Sequence, residues 1–134
     1  EKITETINPV DEMLKNLTIL IAEDEEVGRM YLAEILEEKC KKLLFAENGR
    51  EAVELYEKHP EIDLVLMDIK MPVMDGYTAS MKIKELNSDA LIIAQTAYAL
   101  AGDKEKALAA GCKDYLTKPL KKSKLEEVIQ KYFS

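Results

Sequence analysis

The sequence predicts an α/β fold built on a parallel sheet. From Leu17 to the C-terminus, short apolar runs alternate five times with amphipathic stretches, which is the pattern of β-α units. Three of the apolar runs are nearly continuous Ile, Leu and Val, as expected of strands that helices cover on both faces. The chain has 134 residues, a length that suits one domain. We therefore expect a single sheet between two layers of helices.

The expected strands are short and end in polar or turn residues. They cover residues 17–22, 42–46, 64–68, 91–96 and 112–116. Residues 1–16 are polar, contain Pro9 and show no sustained hydrophobic period. We expect them to form a linker or tail with one helical turn near residues 11–15, and the compact domain to run from 17 to 134.

Start and stop signals mark the helices between these strands. The pairs Asn48/Glu51 and Ser123/Glu126 predict capping boxes at the second of these helices and at the last one. Asp75-Gly76 is expected to open the third helix. Gly111 is expected to end the fourth helix in the left-handed conformation.

Composition narrows the function classes. Nineteen Lys and Arg stand against 26 Asp and Glu, giving a net charge of −7 that opposes direct binding to nucleic acid or to anionic lipid. The apolar runs are far shorter than the ~20 residues that span a bilayer, so we expect no membrane contact. Cys40 and Cys112 stand far apart, which is typical of free thiols in a reducing cytoplasm. The linker-like start at Glu1 favours a piece of a longer protein.

The residues with chemical potential lie where the predicted strands end. In an open parallel sheet, ligands bind beyond the carboxyl ends of the strands, where the strand order reverses. Five side chains end or follow predicted strands: Glu23, Asp24, Asp68, Thr96 and Lys118. We therefore expect three carboxylates, a hydroxyl and an ammonium at one edge of the sheet.

Carboxylates gathered in this way require a cation. Two unit charges repel by ~4 kcal/mol at about 4 Å and an effective dielectric of about 20. Oxygen ligands without His or Cys suit Mg²⁺. A carboxylate flanked by a divalent cation and an ammonium is equipped to accept a phosphoryl group, because that reaction mostly needs positioning and charge neutralisation. Asp68, at the centre of the edge, is the expected nucleophile.

Each of these residues also has a purely structural interpretation. Glu23 and Asp24 can favour the dipole of the helix that follows them, and Asp68 can be a turn residue. Thr96 suits a strand, and Lys118 suits the surface. Their common place at the same end of the predicted strands favours the chemical interpretation.

Together these residues resemble the receiver domain of two-component response regulators. Four motifs carry the resemblance in order: Glu23-Asp24, Leu64 to Gly76 around Asp68, Thr96-Ala97, and Asp114 to Pro119. It extends from about Leu17 to the C-terminus. It implies a flavodoxin-like (βα)5 three-layer sandwich whose parallel sheet has the order 2-1-3-4-5.

The resemblance also implies a role for each site residue. Asp68 would accept a phosphoryl group from a phosphohistidine on a histidine kinase or a histidine-phosphotransfer domain. Lys118 would contact the phosphoryl group, and the Lys118–Pro119 bond would be cis. Thr96 and Tyr115 would form a switch that remodels the surface of the fourth helix, fifth strand and fifth helix. Mg²⁺ would be held by Glu23, Asp24, Asp68 and the backbone carbonyl of Lys70.

Such a domain is not an enzyme in the usual sense. It would catalyse its own aspartyl phosphorylation and slow dephosphorylation, as a monomer or weak dimer. It would be either a single-domain regulator or the receiver portion of a hybrid histidine kinase. Lys70 and Tyr98 flank the path of attacking water, and we hypothesise that they lengthen the phosphorylated lifetime.

Two alternatives stay open at this point. A Mg²⁺-dependent phosphohydrolase with an aspartyl nucleophile would use similar carboxylates. Such enzymes generally need a second carboxylate two residues after the nucleophile, where this chain has Lys70, and a substrate-covering cap. A pseudo-receiver used only for docking is disfavoured by the complete acidic set.

Overall fold

The computed structural model describes residues 8–97 and 100–134. Five strands form one sheet in the order β2-β1-β3-β4-β5, and every neighbouring pair is parallel. The strands are Thr18–Ala22 (β1), Lys42–Ala46 (β2), Leu64–Asp68 (β3), Ile92–Thr96 (β4) and Asp114–Thr117 (β5). The predicted flavodoxin-like architecture and strand order are confirmed.

Six helices of the described residues cover the two faces of the sheet. They are Pro9–Leu14 (α1), Glu26–Leu36 (α2), Gly49–Lys58 (α3), Gly76–Leu86 (α4), Asp103–Ala109 (α5) and Lys122–Phe133 (α6). Because successive strand residues point to opposite faces, Ile19 and Ile21 pack against α1, α2 and α6, whereas Leu20 and Ala22 pack against α3, α4 and α5. None of these helices is long and apolar enough to cross a membrane.

Two helix starts follow the sequence signals. Asn48 Oδ1 accepts from the Glu51 N–H at 2.9 Å, and Glu51 Oε1 accepts in return from the Glu47 N–H at 2.8 Å. The reciprocal bond therefore reaches one residue further than a capping box requires. Asp75 Oδ1 accepts from the Thr78 N–H at 2.8 Å and caps α4 as predicted.

The C-terminal third differs from expectation in two places. The predicted Ser123/Glu126 box is wrong, because α6 already begins at Lys122 and no side chain caps it. The preceding Leu120 is buried, and this anchor makes the helix start before Ser123. Strand β5 covers Asp114–Thr117 instead of the predicted residues 112–116, so it lies closer to the site. It begins later because Gly111, at φ 104°, and the residues after it end α5.

The N-terminal segment is helical from Pro9 to Leu14, which agrees with the helical turn expected near residues 11–15 of the predicted linker or tail. Asn8 Oδ1 accepts from the Val10 N–H at 2.9 Å and starts α1, with Pro9 in its first turn. Val10 and Leu14 are buried on the α2 and α6 side of the core. A helix of six residues is too short to show a sustained hydrophobic period, so the sequence does not show that this helix packs on the core. Residues 1–7 lie outside the described part of the chain.

Candidate functional site

The site lies at the carboxyl edge of the sheet, between β1 and β3. These strands are neighbours in space but not in sequence, because the chain leaves β1 for β2 on one side and returns to β3 on the other. Glu23 follows β1 directly, and Asp68 is the last residue of β3. The strand order therefore brings these two carboxylates to the same point, as the switch-point rule predicts.

Three carboxylates converge there. Glu23, Asp24 and Asp68 each offer an oxygen, and the three oxygens lie within 4.8 Å of one another. Glu23 and Asp68 are only 1% and 4% exposed, whereas Asp24 lies on the more open side. An all-oxygen, carboxylate-rich donor set with an open side fits Mg²⁺, which keeps several waters in its shell.

Lys118 brings one ammonium group into this cluster. Its Nζ lies 3.1 Å from Asp68 Oδ2 and also donates a hydrogen bond to Glu23 Oε1. The Lys118 N–H donates to the Thr96 carbonyl at 2.7 Å, which ties the ends of β4 and β5 together. The Lys118–Pro119 peptide bond is cis, as the resemblance implied.

The charges of the cluster do not balance. Three carboxylates and one ammonium leave two negative charges at this edge when all are ionised. Burial raises the pKa of Asp68, Lys118 lowers it, and Glu23 raises it, so that the pKa rises to about 6. Burial lowers the pKa of Lys118, but the two buried carboxylates outweigh this effect and the pKa is raised. The surplus negative charge favours binding of a divalent cation.

A cavity of about 160 Å³ opens beside the Asp68 carboxylate. The cavity is lined by two neighbouring residues, Glu25 and Ala97, and by five of the predicted site residues: Asp24, Asp68, Lys70, Thr96 and Lys118. Thr96 is buried at the end of β4, and the side chain of Lys70 is exposed. The Lys70 N–H points to Asp68 Oδ1 at 3.4 Å. The cavity therefore leaves room for a small group between Asp68, Thr96 and Lys118.

Two contributors to the site were missed in the sequence. The Glu25 N–H donates to Glu23 Oε2 at 3.1 Å and holds this carboxylate. Gly76 was predicted only to open a helix, but a Cβ on it would lie 2.2 Å from the Asp68 carbonyl oxygen. The Gly76 N–H donates to the Ile69 carbonyl at 2.8 Å, so α4 packs directly on the end of β3. Backbone contacts of this kind leave no signal in residue type beyond the glycine itself.

Tyr115, the predicted partner of Thr96 in the switch, lies on β5 with its ring packed against the core on the α5 side. Its hydroxyl is buried on this side of the core. Burial raises the pKa of Tyr115, and the charge of Asp103 adds to this effect. Tyr98, which was predicted to flank the site, lies outside the described residues.

A family model described as the response regulator receiver domain matches residues 19–130. This range includes β1 from Ile19 onward, the four other strands, the three carboxylates and Lys118. The chain therefore belongs to the receiver-domain family, which confirms the resemblance seen in the sequence.

Curated relatives include both single-domain and multidomain proteins. The chemotaxis protein CheY of Halobacterium salinarum is 42% identical over 111 residues, which cover 83% of this chain and 92% of CheY. The signal transduction histidine-protein kinase BarA of Escherichia coli K12 is 37% identical over 130 residues, which cover 95% of this chain. The chain spans only 14% of the length of BarA.

Solved structures with the same fold include two that contain magnesium and one that contains a histidine phosphotransfer protein. A chain of the CheX–CheY–BeF3–Mg²⁺ complex from Borrelia burgdorferi matches with a TM-score of 0.82 and 32% identity, covering 88% of this chain and 90% of that one. The receiver domain of a Pseudomonas aeruginosa sensor histidine kinase, with magnesium coordinated in the active-site cleft, matches with a TM-score of 0.80 and 35% identity, covering 88% and 98%. The complex of the Saccharomyces cerevisiae histidine phosphotransfer protein Ypd1 with the Ssk1 receiver domain matches with a TM-score of 0.81 and 30% identity, covering 90% of each chain.

Proposed function

We propose that this receiver domain accepts a phosphoryl group on Asp68 from a phosphohistidine of a histidine kinase or histidine-phosphotransfer partner. The observation that carries the proposal is the cavity beside Asp68, whose other walls include Asp24, Thr96 and Lys118. One carboxylate oxygen of Asp68 accepts from Lys118, while the cavity gives a donor access to the group. The arrangement suits a nucleophile better than a structural ion pair, because a buried structural pair would be closed to solvent.

The transfer forms one bond and breaks another. An Asp68 carboxylate oxygen attacks the phosphorus atom, and the P–N bond to the partner's imidazole breaks. The imidazole leaves as a neutral ring, because its other nitrogen already carries a proton in the phosphohistidine, and the phosphoryl group becomes part of an acyl phosphate on Asp68. Lys118 is placed to pair with a phosphoryl oxygen, since its Nζ lies 3.1 Å from Asp68 Oδ2. Little covalent chemistry is required of the protein beyond this positioning.

The carboxylates of Glu23, Asp24 and Asp68, with the carbonyl of Lys70, are the groups that would hold Mg²⁺. When bound, the cation neutralises charge on the phosphoryl oxygens during transfer. Within the protein, Glu23 also keeps Lys118 in place through their hydrogen bond. Asp24, on the open side, is placed to complete the oxygen set without displacing that pair.

The phosphorylated state would be read through Thr96 and Tyr115. A shift of a two-state surface from mostly inactive to mostly active requires a preference of ~5 kcal/mol. Charge-assisted hydrogen bonds from Thr96, Lys118 and backbone amides supply ~1.5 to 3 kcal/mol each. The buried hydroxyl of Tyr115 lies on the α5 side of the sheet, two residues before Thr117, the β5 residue that pairs with Thr96. We propose that phosphorylation repacks this side and thereby changes the outer surface.

The partner would dock on the exposed apolar face of α2. Val27, Met30 and Tyr31 are 80%, 64% and 40% exposed, an unusual cluster for an isolated helix surface. Val27 and Tyr31 also line a groove of about 430 Å³ that ends at Lys118. A histidine-phosphotransfer protein bound to a receiver domain, as in the matching yeast complex, is the partner class that this position suits.

The two free cysteines agree with a reducing compartment such as the cytoplasm.

Phosphorylation itself is tested with a small-molecule donor. The chain is incubated with acetyl phosphate, with and without Mg²⁺, and its intact mass is followed over time. We expect wild type to gain one phosphoryl group only with Mg²⁺, and Asp68→Asn to gain none. Asp89→Asn, an exposed turn residue, is the matched control and should behave as wild type. Equal labelling of wild type and Asp68→Asn, or rapid turnover typical of a phosphohydrolase, would contradict the proposal.

A second variant separates docking from chemistry. Val27→Asp places a charge in the centre of the apolar face, on α2 rather than within the carboxylate cluster. We expect it to slow transfer from a phosphohistidine protein while phosphorylation by acetyl phosphate is unchanged. Equal rates with the protein donor would place the docking surface elsewhere.

A further inference from the structure

We propose that Gly28 is a positioning residue for the acidic site, because it leaves the space that the Glu23 side chain needs to reach Lys118. The inference rests on the proposed function, since it concerns the carboxylates that would hold Mg²⁺. It assigns a task to a helix residue that lies outside the four motifs of the receiver resemblance.

The geometry around Gly28 is tight toward Glu23. A Cβ on Gly28 would lie 2.9 Å from Glu23 Cδ and 3.0 Å from both Cγ and Oε1 of the same side chain. The contact with Cδ is shorter than Cβ atoms essentially ever make, and the other two are tighter than most Cβ contacts, so either Glu23 or the helix would have to shift. The three nearest atoms all belong to Glu23, so it is this side chain that occupies the space beside Gly28.

Backbone conformation does not explain a glycine at this position. Gly28 lies within α2 and is not among the glycines with a positive φ, which are Gly102 and Gly111 in the described residues. In a helix, glycine is less favourable than alanine because it loses more backbone freedom. The feature that requires the missing side chain is therefore the contact with Glu23.

Glu23 has little freedom to move away. It is 1% exposed, and both carboxylate oxygens are engaged. Oε1 accepts from Lys118 Nζ, and Oε2 accepts from the Glu25 N–H at 3.1 Å. The backbone is held as well, because Arg29 Nη1 donates to the Glu23 carbonyl at 2.8 Å. A methyl group at position 28 would therefore displace the carboxylate from at least one of these partners.

The length of Glu23 is part of the same fit. An aspartate at this position would be one methylene shorter and would withdraw from the space beside Gly28. The pair Glu23 and Gly28 is thus matched: the longer acid requires the smaller helix residue. A shorter acid should tolerate a methyl group at position 28, which provides a direct test.

The test is a double-mutant cycle of Gly28→Ala and Glu23→Asp, read by calorimetric titration with Mg²⁺ alone. Removing a group that orients a metal ligand typically weakens metal binding by about 10- to 100-fold. We expect Gly28→Ala to weaken Mg²⁺ binding by about tenfold relative to wild type, at the lower end of that range. Added to Glu23→Asp, the same change should have an effect of less than about threefold.

A second readout does not involve the metal. In Mg²⁺-free protein, the carboxyl ¹³C shift of Glu23 should change in Gly28→Ala, while the shift of Asp114, which is remote from Gly28, should not. An unchanged Glu23 shift, or equal weakening of Mg²⁺ binding by Gly28→Ala in the wild-type and Glu23→Asp backgrounds, would overturn the positioning role. If wild type itself binds no Mg²⁺ while the Glu23 shift responds as expected, the proposed function fails and the Gly28–Glu23 fit stands.

Discussion

Asp68→Asn is expected to stabilise the protein at neutral pH in the absence of Mg²⁺, although it removes the nucleophile. Asp68 is buried next to Glu23, and this environment raises its pKa from 3.8 to about 6 despite Lys118. The folded protein therefore binds the Asp68 proton more tightly than the unfolded chain does. The ionised carboxylate opposes folding, and a neutral amide of the same shape removes that opposition.

The magnitude follows from the difference between the two pKa values. A difference of about two pKa units is equivalent to ~3 kcal/mol. Because the cavity admits solvent, which screens the repulsion, we expect a smaller gain of roughly 1 to 2 kcal/mol. The unfavourable contribution is absent below the unfolded pKa of 3.8, grows between 3.8 and about 6, and is complete above that value. The advantage of Asp68→Asn should follow the same course.

The assay is urea unfolding monitored by far-ultraviolet circular dichroism at several pH values. Asp114→Asn is the opposite control. Burial raises the pKa of Asp114, but bonds from the Tyr115 N–H, the Tyr132 hydroxyl and Lys131 outweigh burial and lower it. Its ionised form therefore favours folding above the unfolded pKa, and this stability is lost as the pH falls through the folded value. Asp114→Asn should destabilise the protein at neutral pH by ~1 kcal/mol.

Binding of Mg²⁺ to the acidic cluster should also change the stability of the protein. Mg²⁺ should raise the urea midpoint of wild type and leave that of Asp68→Asn nearly unchanged, so that the difference between them narrows. A loss of stability in Asp68→Asn at neutral pH would refute the reasoning. A gain of the same size at about pH 3 and about pH 7 would also refute it, because it could not then arise from the charge of Asp68.

Three other substitutions test separate parts of the structure. Leu14→Ala should lower the free energy of unfolding by ~2 kcal/mol, because the Leu14 side chain of α1 is buried against the core. An unchanged urea midpoint would mean that α1 does not pack on the core. Gly76→Ala should lower the free energy of unfolding by ~3 kcal/mol in the same urea experiment, since the added Cβ would meet the Asp68 backbone. A stabilised variant would exclude that contact. Lys70→Ala should speed loss of the phosphoryl group about fivefold, or ~1 kcal/mol of barrier, because the side chain lines the cavity. Mass spectrometry after donor removal measures that rate, and unchanged or slower loss would reject a shielding role.

The sequence predicts the sheet well because its signal is local and strong. The run at β3 is bounded as predicted, since a buried parallel strand is apolar until its last residue, here Asp68. The run at β2 is also bounded as predicted, although this edge strand begins at the exposed Lys42 and only Ala46 is fully buried. Because the carboxyl ends of neighbouring parallel strands meet at one edge of the sheet, these strand ends predict a spatial cluster of Glu23, Asp24 and Asp68 from the sequence alone.

What the sequence does not show depends on contacts between distant segments. Helix α1 depends on Val10 and Leu14 meeting α2 and α6, and six residues carry too little periodicity to reveal this. The close approaches at Gly28 and Gly76 likewise involve atoms of other segments, Glu23 and the Asp68 backbone. Only the folded arrangement shows that these glycines are constrained by space.

In the proposed function, the carboxylate of Asp68 takes up the phosphoryl group in this pocket. The most direct measurement is to phosphorylate the chain with acetyl phosphate and Mg²⁺, reduce it with borohydride, and sequence its peptides by mass spectrometry. Borohydride converts an aspartyl phosphate to homoserine and so marks the modified position. We predict homoserine at position 68 alone. Homoserine at Asp24 or another aspartate, or the longer alcohol that a reduced glutamyl phosphate would give, with residue 68 unchanged, would contradict this assignment.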